Sequence, residues 1–213
     1  VISTTLQGYD AVKINCRPSP DAGDSSFVGC HLSADLTAGK CVDMRAGGGP
    51  RFNNLKGLNG FYGFYIDWRL GISGGPLISQ FSCENGTGQF LYVTGSGAEI
   101  LNGLQLVDSW LNSGAQITFD NIGSGWCRKV GLDNVLITGN GTDTPLVDFG
   151  SSVSWFTVTN GRLDGNGGVD TTTAATAVGI NIRSGANYGR IYFPQFKGCT
   201  ANVVNASATT VVM

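Results

Sequence analysis

The stretches Ile117-Thr118-Phe119-Asp120-Asn121, Leu146-Val147-Asp148-Phe149-Gly150 and Ile180-Asn181-Ile182-Arg183-Ser184 decide the fold. Each alternates apolar and polar side chains, the two-residue period of a strand with one buried face. The same pattern stands at 11–15, 41–45, 64–68 and 90–94, so that the segment centres fall at residues 13, 43, 66, 92, 119, 148 and 182. The steps between them run from 23 to 34 residues, a repeat length that marks solenoids and propellers.

A turn containing Gly or Ser follows most of these segments. A second β-like stretch comes next, at 77–82, 103–109, 134–140, 155–161 and 190–196, and leads into another turn, at 84–88, 111–114, 140–143, 164–168 and 197–200. Strand, turn, strand, turn is the grammar of one coil of a parallel β-solenoid. A single coil cannot bury its apolar side, whereas stacked coils bury one continuous column. With 202–206 as the last segment, about 7–8 coils spaced about 4.8 Å apart give a rod about 35–40 Å long. Alternation points Phe64, Ile66, Trp68, Ile117, Phe119, Val147, Phe149, Phe156, Val158, Ile180, Ile182, Ile191 and Phe193 inward. The alternative architecture is a β-sandwich or jelly roll in which the spacing is fortuitous. The regular pattern divides the chain into an N-terminal cap with less regular coils over 1–59 and the β-helix proper over 60–213.

Composition agrees with an all-β chain. Of 213 residues 33 are Gly, only 13% are charged, and 41% are hydrophobic. The two glutamates are Glu84 and Glu99, which is far from the composition of helical proteins. Plentiful apolar residues and a net charge of −2 argue against disorder. The 13 basic residues are scattered and the pI is near 5.2, so no electrostatic footprint for nucleic acid is present. No window approaches the roughly 18 apolar residues of a membrane helix, so no membrane insertion is expected. The chain starts at Val1 rather than Met, which suggests a processed product or an upstream attachment segment.

Cys16, Cys30, Cys41, Cys83, Cys127 and Cys199 lie far apart without a C-x-x-C pair, and are expected to be mostly reduced, with one disulfide among the closely spaced Cys16, Cys30 and Cys41 as the alternative. With His31 the only histidine and no paired ligand spacing, neither a metal site nor a cofactor is expected.

The phrases Gly131-Leu132-Asp133-Asn134-Val135-Leu136-Ile137-Thr138-Gly139-Asn140-Gly141 and Phe156-Thr157-Val158-Thr159-Asn160-Gly161-Arg162-Leu163-Asp164-Gly165-Asn166-Gly167 resemble coils of the right-handed parallel β-helix of the pectate-lyase-like superfamily. Low charge and abundant Gly, Ser, Thr and Asn are most similar, within that superfamily, to bacteriophage tailspikes and related virion spikes. The likeness covers about residues 60 to 205 and rests on coil pattern. It implies a homotrimer on the virion, or alternatively a secreted protein, that binds and often cleaves or deacetylates the surface polysaccharide of a host.

Hydrolysis of a polysaccharide needs two carboxylates, about 5–5.5 Å apart for retention or about 6.5–9.5 Å for inversion. Asp67, Asp120 and Asp148 are the candidates, because alternation turns all three outward on one face, with Arg183 a coil later. The competing reading makes them charges that keep the rod soluble. Asp133, Asp143, Asp164 and Asp170 sit beside Gly or Asn and read as turn formers. Calcium-dependent lyase chemistry lacks a clustered Asp run, and Arg183 or Arg190 would need strong perturbation to act as a base. His31 reads as an ordinary strand residue.

Sugar binding without cleavage needs aromatic faces and hydrogen-bonding groups. Trp155 and Tyr192 alternate outward beside Phe156 and Phe193, and Tyr188, Trp110 and Trp126 fall at turns, so Trp155, Tyr192, Tyr188 and Arg183 are the ligand-binding candidates. In a trimer the same rings could bury between rods. Three function classes follow: a spike or tail-fibre subunit that recognises a host glycan, a depolymerase, and a structural viral coat protein. Sequons at Asn85, Asn140 and Asn205 read as turns.

Overall fold

The protein is a three-sided parallel β-solenoid. The computed structural model describes residues 2–3, 11–15, 26–34, 37–46, 49–58, 60–67, 74–84, 89–95, 100–112, 116–120, 125–139, 145–165 and 178–213. Every strand pair among them is parallel and no helix occurs. Antiparallel pairing, which a jelly roll or sandwich requires, is therefore absent from the described residues.

Each coil visits three sheets in turn. In one coil the chain runs through Ile117–Phe119 in one sheet, Trp126–Asp133 in the next and Leu136–Thr138 in the third, then rises to Val147–Phe149 above its starting strand. The sheet that holds Ile117–Phe119 stacks Val12–Asn15, Lys40–Ala46, Tyr62–Asp67, Leu91–Thr94, Ile117–Phe119, Val147–Phe149, Val178–Ile182 and Ala201–Asn205. These are the alternating segments that the repeat predicts, in their predicted order.

Stacked coils place like residues over one another. Val42, Phe64, Leu91, Ile117, Val147 and Ile180 form one inward column, and Met44, Ile66, Val93, Phe119, Phe149 and Ile182 form another. All of these are buried. Phe119 and Phe149 stack with centroids 5.3 Å apart, and Phe149 meets Phe156 from the neighbouring sheet at 4.1 Å. The Trp126–Asp133 sheet adds the column Phe27, Phe52, Ile78, Leu106, Leu132, Val158 and Ile191. Core thus runs the length of the stack, as solenoid packing demands.

What looked in sequence like one second strand per coil is two strands in two sheets. Thus 77–82 splits into Leu77–Ser79 and a strand starting at Ser82, and 155–161 lies almost wholly in Val153–Thr159, whereas 134–140 supplies Leu136–Thr138 of the other sheet. The corner is made by a single left-handed residue: Asn54, Gln80, Asp108, Asn134, Asn160 and Phe193 have φ between 49° and 53°. The amides of Asn54, Gln80, Asp108, Asn134 and Asn160 bond the next coil, as in Asn54 to the Ser79 carbonyl and Asn134 to the Thr159 carbonyl, each at 3.0–3.1 Å. Short amide and acid side chains tolerate this conformation best. The next residue turns back inward, so Leu55, Phe81 and Val135 are buried.

Phe193 departs from its expected inward place. It occupies the left-handed corner itself and is 76% exposed, because the corner residue points away from the core. Trp68, Asn85, Asn140, Asp143 and Asp170 lie outside the described residues, as does Cys16. The five described cysteines, Cys30, Cys41, Cys83, Cys127 and Cys199, are free thiols.

Candidate functional site

Two regions, on two different sheets, gather the candidate residues. The first lies on the outer face of the sheet that carries Ile117–Phe119. Phe119, Phe149 and Ile182 share an inward column, which fixes the outward residues beside them. Asp148 precedes its Phe and aligns with Thr118 and Asn181. Asp120 follows its Phe, and one residue beyond the same register stands Gly150, then Arg183. The two aspartates therefore share a face but stand in different columns.

Gly150 makes the arrangement possible. Its amide bonds the Phe119 carbonyl at 2.7 Å, and a Cβ there would run into the Phe119 and Asp120 backbone. With no side chain in between, Arg183 reaches over Gly150 to both acids. Its Nε donates to Asp148 Oδ1 at 3.2 Å and its terminal nitrogens meet Asp148 Oδ2 and, at 3.5 Å, Asp120 Oδ1. Asn181 donates a further bond to Asp148 Oδ1 at 2.9 Å, so both oxygens of this buried carboxylate are engaged.

Asp120 has a second partner, the Tyr92 hydroxyl, which donates to Oδ2 at 2.6 Å. Burial, then the bond to Asp120 and its charge, push the Tyr92 phenol well above its usual range. The hydrogen bond to Asp148 raises the Arg183 guanidinium, against the opposing effect of burial. Gln89, Tyr92, Gln116, Thr118, Pro145 and these charged groups line a cavity of about 280 Å³. The Gln89 Oε1 atom is buried with no hydrogen-bond partner among the described residues.

Asp67 does not join them. It aligns with Thr94, is 2% exposed, and faces Arg45 at 3.7 Å. Buried this way it is part of a separate cluster in which Arg45 also holds Asp43 at 2.9 Å.

The second region lies on the sheet of Val153–Thr159. That strand is interrupted by Trp155, whose φ is +53°, and Lys129 in the coil before and Tyr188 in the coil after have φ of 55° and 53°. Gly103, whose amide bonds the Arg128 carbonyl, begins this column with φ of +93°. A bulky residue in the left-handed region is a true outlier, with a cost of about 1–3 kcal/mol. The conformation throws the side chain off the pleat. Trp155 and Tyr188 are 50% and 57% exposed, with ring centroids 6.1 Å apart.

Together with Phe156, Thr157, Gly189, Arg190, Thr209 and Val211 they bound an open cleft of about 420 Å³. Gly189 forms part of its floor, since a Cβ there would collide with the Phe156 ring. The Arg128 guanidinium lies over both the Trp126 ring, at 5.7 Å, and the Trp155 ring, at 5.8 Å. Tyr192 aligns with Thr159, is half-buried, and stands 6.5 Å from the Phe193 ring outside the cleft lining. Trp110 is exposed on another sheet, where it pairs with Ser82 and Leu136, and His31 pairs with Lys56 on that same sheet.

Sequence reasoning missed Tyr92, although alternation with Leu91 and Val93 turns it outward. It also missed Thr209 and Val211 as cleft residues, for which no local signal exists. Among the described residues no three His, Cys, Asp or Glu side chains gather as metal ligands. The chain matches no family model, no curated protein and no solved structure.

Proposed function

We propose that this chain is the receptor-recognition part of a virion spike or tail fibre, which holds a host-surface polysaccharide in the cleft between Trp155 and Tyr188. The observation that carries the reading is the pair of half-exposed rings set on left-handed backbone in adjacent coils. A fold that accepts local strain to display aromatic rings is displaying them for contact. Pyranose faces carry weakly positive C–H groups that pack on the negative face of an aromatic ring, and a cleft of about 420 Å³ is within the size range of ligand sites. The likeness in coil pattern to tailspikes supports a homotrimer joined to the virion through a segment upstream of the β-helix.

Turnover by the Asp120–Asp148 pair is the competing reading, and the geometry disfavours it. A guanidinium stands between the carboxylates, where glycoside cleavage needs an open gap for sugar or water. Asp148 serves to position Arg183, and the Arg183–Asp120 pair lines a separate polar cavity on the neighbouring sheet.

The test is equilibrium binding of the trimer to capsular and lipopolysaccharide glycans, for the wild type and Trp155→Ala. Loss of tenfold or more in the variant, with unchanged circular dichroism, is expected. Equal binding by Trp155→Ala would remove the cleft from the account.

A further inference from the structure

Resting on the glycan reading above, and narrowing it, we infer that the Trp155–Tyr188 cleft selects an acidic sugar, a hexuronate or a sialic acid, whose carboxylate is bound by Arg190. The residues of the cleft are lopsided in charge. Its lining holds one cation, Arg190, and no acid. Arg190 projects outward from the register Thr157, Arg190, Val211, and neither neighbour carries a side chain that can neutralise it. Among the described residues no carboxylate forms an ion pair with Arg190.

Two further cations flank the rings. Arg128 lies against the Trp155 and Trp126 rings, and Lys129 is exposed in the same left-handed column as Trp155 and Tyr188. The acid carried by that strand, Asp133, is occupied by the Thr159 hydroxyl and the Asn160 amide. In a chain whose net charge is −2, three cations around one aromatic cleft make a local anion site that the overall charge does not explain. A planar guanidinium beside apolar walls suits a carboxylate, which it can grip with two parallel bonds. A neutral sugar would stack on the rings and leave Arg190 without a counter-charge.

Titration calorimetry of the full chain with tetragalacturonate, with α2,8-linked tetrasialate and with carboxyl-reduced tetragalacturonate tests this. At least one acidic oligomer should bind about tenfold or more tightly than the reduced one. Arg190→Gln should erase that preference, Arg190→Lys should keep part of it, and affinity for the acid should fall between 50 mM and 500 mM salt. Equal affinity for the reduced oligomer, or an acid preference that survives Arg190→Gln, would overturn the acidic assignment and leave the glycan reading standing. Failure of all three sugars to bind would overturn both. Tighter binding of an oligothymidylate than of either acid would overturn both as well, in favour of an anionic nucleic-acid ligand.

Discussion

Replacing Phe149 by Ala tests the stacked-coil core at its centre. Phe149 is fully buried, lies in register between Phe119 and Ile182, and stacks on two rings, Phe119 at 5.3 Å and Phe156 at 4.1 Å. Truncation of a buried Phe costs about 3–5 kcal/mol through lost transfer energy and the cavity left behind. Each aromatic pair adds about 0.5–1.5 kcal/mol beyond area, which places this site near the top of that range, at about 5 kcal/mol. Relaxation is restricted because strands above and below fix the backbone. The assay is urea unfolding followed by tryptophan fluorescence and circular dichroism, with Phe193→Ala as the control. Phe193 is 76% exposed, so its loss should change stability by no more than about 0.5 kcal/mol. A cost below about 1.5 kcal/mol for Phe149→Ala, or similar costs at the two positions, would refute the register.

Asp120→Asn combined with Asp148→Asn should weaken glycan attachment modestly, whereas loss of a measurable depolymerase activity in that double variant would put catalysis first. The raised Tyr92 phenol keeps its proton in the fold after an unfolded tyrosine, with a pKa of about 10, has released it. Its contribution to stability is therefore intact below about pH 10 and declines as pH rises above that value. The urea midpoint should fall less between pH 9 and pH 11 in Tyr92→Phe than in wild type, and identical falls would contradict the Tyr92–Asp120 bond. Thiol labelling of the native chain should reach Cys30 first and Cys199 more slowly, while Cys41, Cys83 and Cys127 react only on unfolding. Burial raises the Cys127 thiol, and labelling of Cys127 at the rate of Cys30 would count against its placement.

Much of the architecture was legible because one sheet carries strict alternation. The segments around Phe64, Phe119, Phe149 and Ile182 announce their period, and every one of them takes its expected place in a single stack. The third sheet was hidden by the corner at Asn54, Gln80, Asp108, Asn134 and Asn160. One left-handed residue that is not itself a glycine bends the chain, so two short strands read as one. The same device misled the reading of Phe193, which alternation sends inward and the corner sends out.

At the site, composition and alternation found Asp120, Asp148, Arg183, Trp155 and Tyr188, and could not order them. Asp148 stands one residue before its Phe and Asp120 one after, a difference that decides which column each enters. Arg183 spans both only because Gly150 leaves room. Asp67 shows the other failure: an outward place in the pleat did not mean exposure, since the carboxylate is covered and held by Arg45. Thr209 and Val211 join the cleft from the last coil, a proximity set by stacking alone.

A crystal structure of the chain with the oligosaccharide that binds tightest is the most direct test of the central claim. A pyranose ring should be seated on the faces of Trp155 and Tyr188, with its polar groups toward Arg190 and Thr209. A sugar bound elsewhere with this cleft empty, or Trp155 and Tyr188 buried against another copy of the chain, would contradict it.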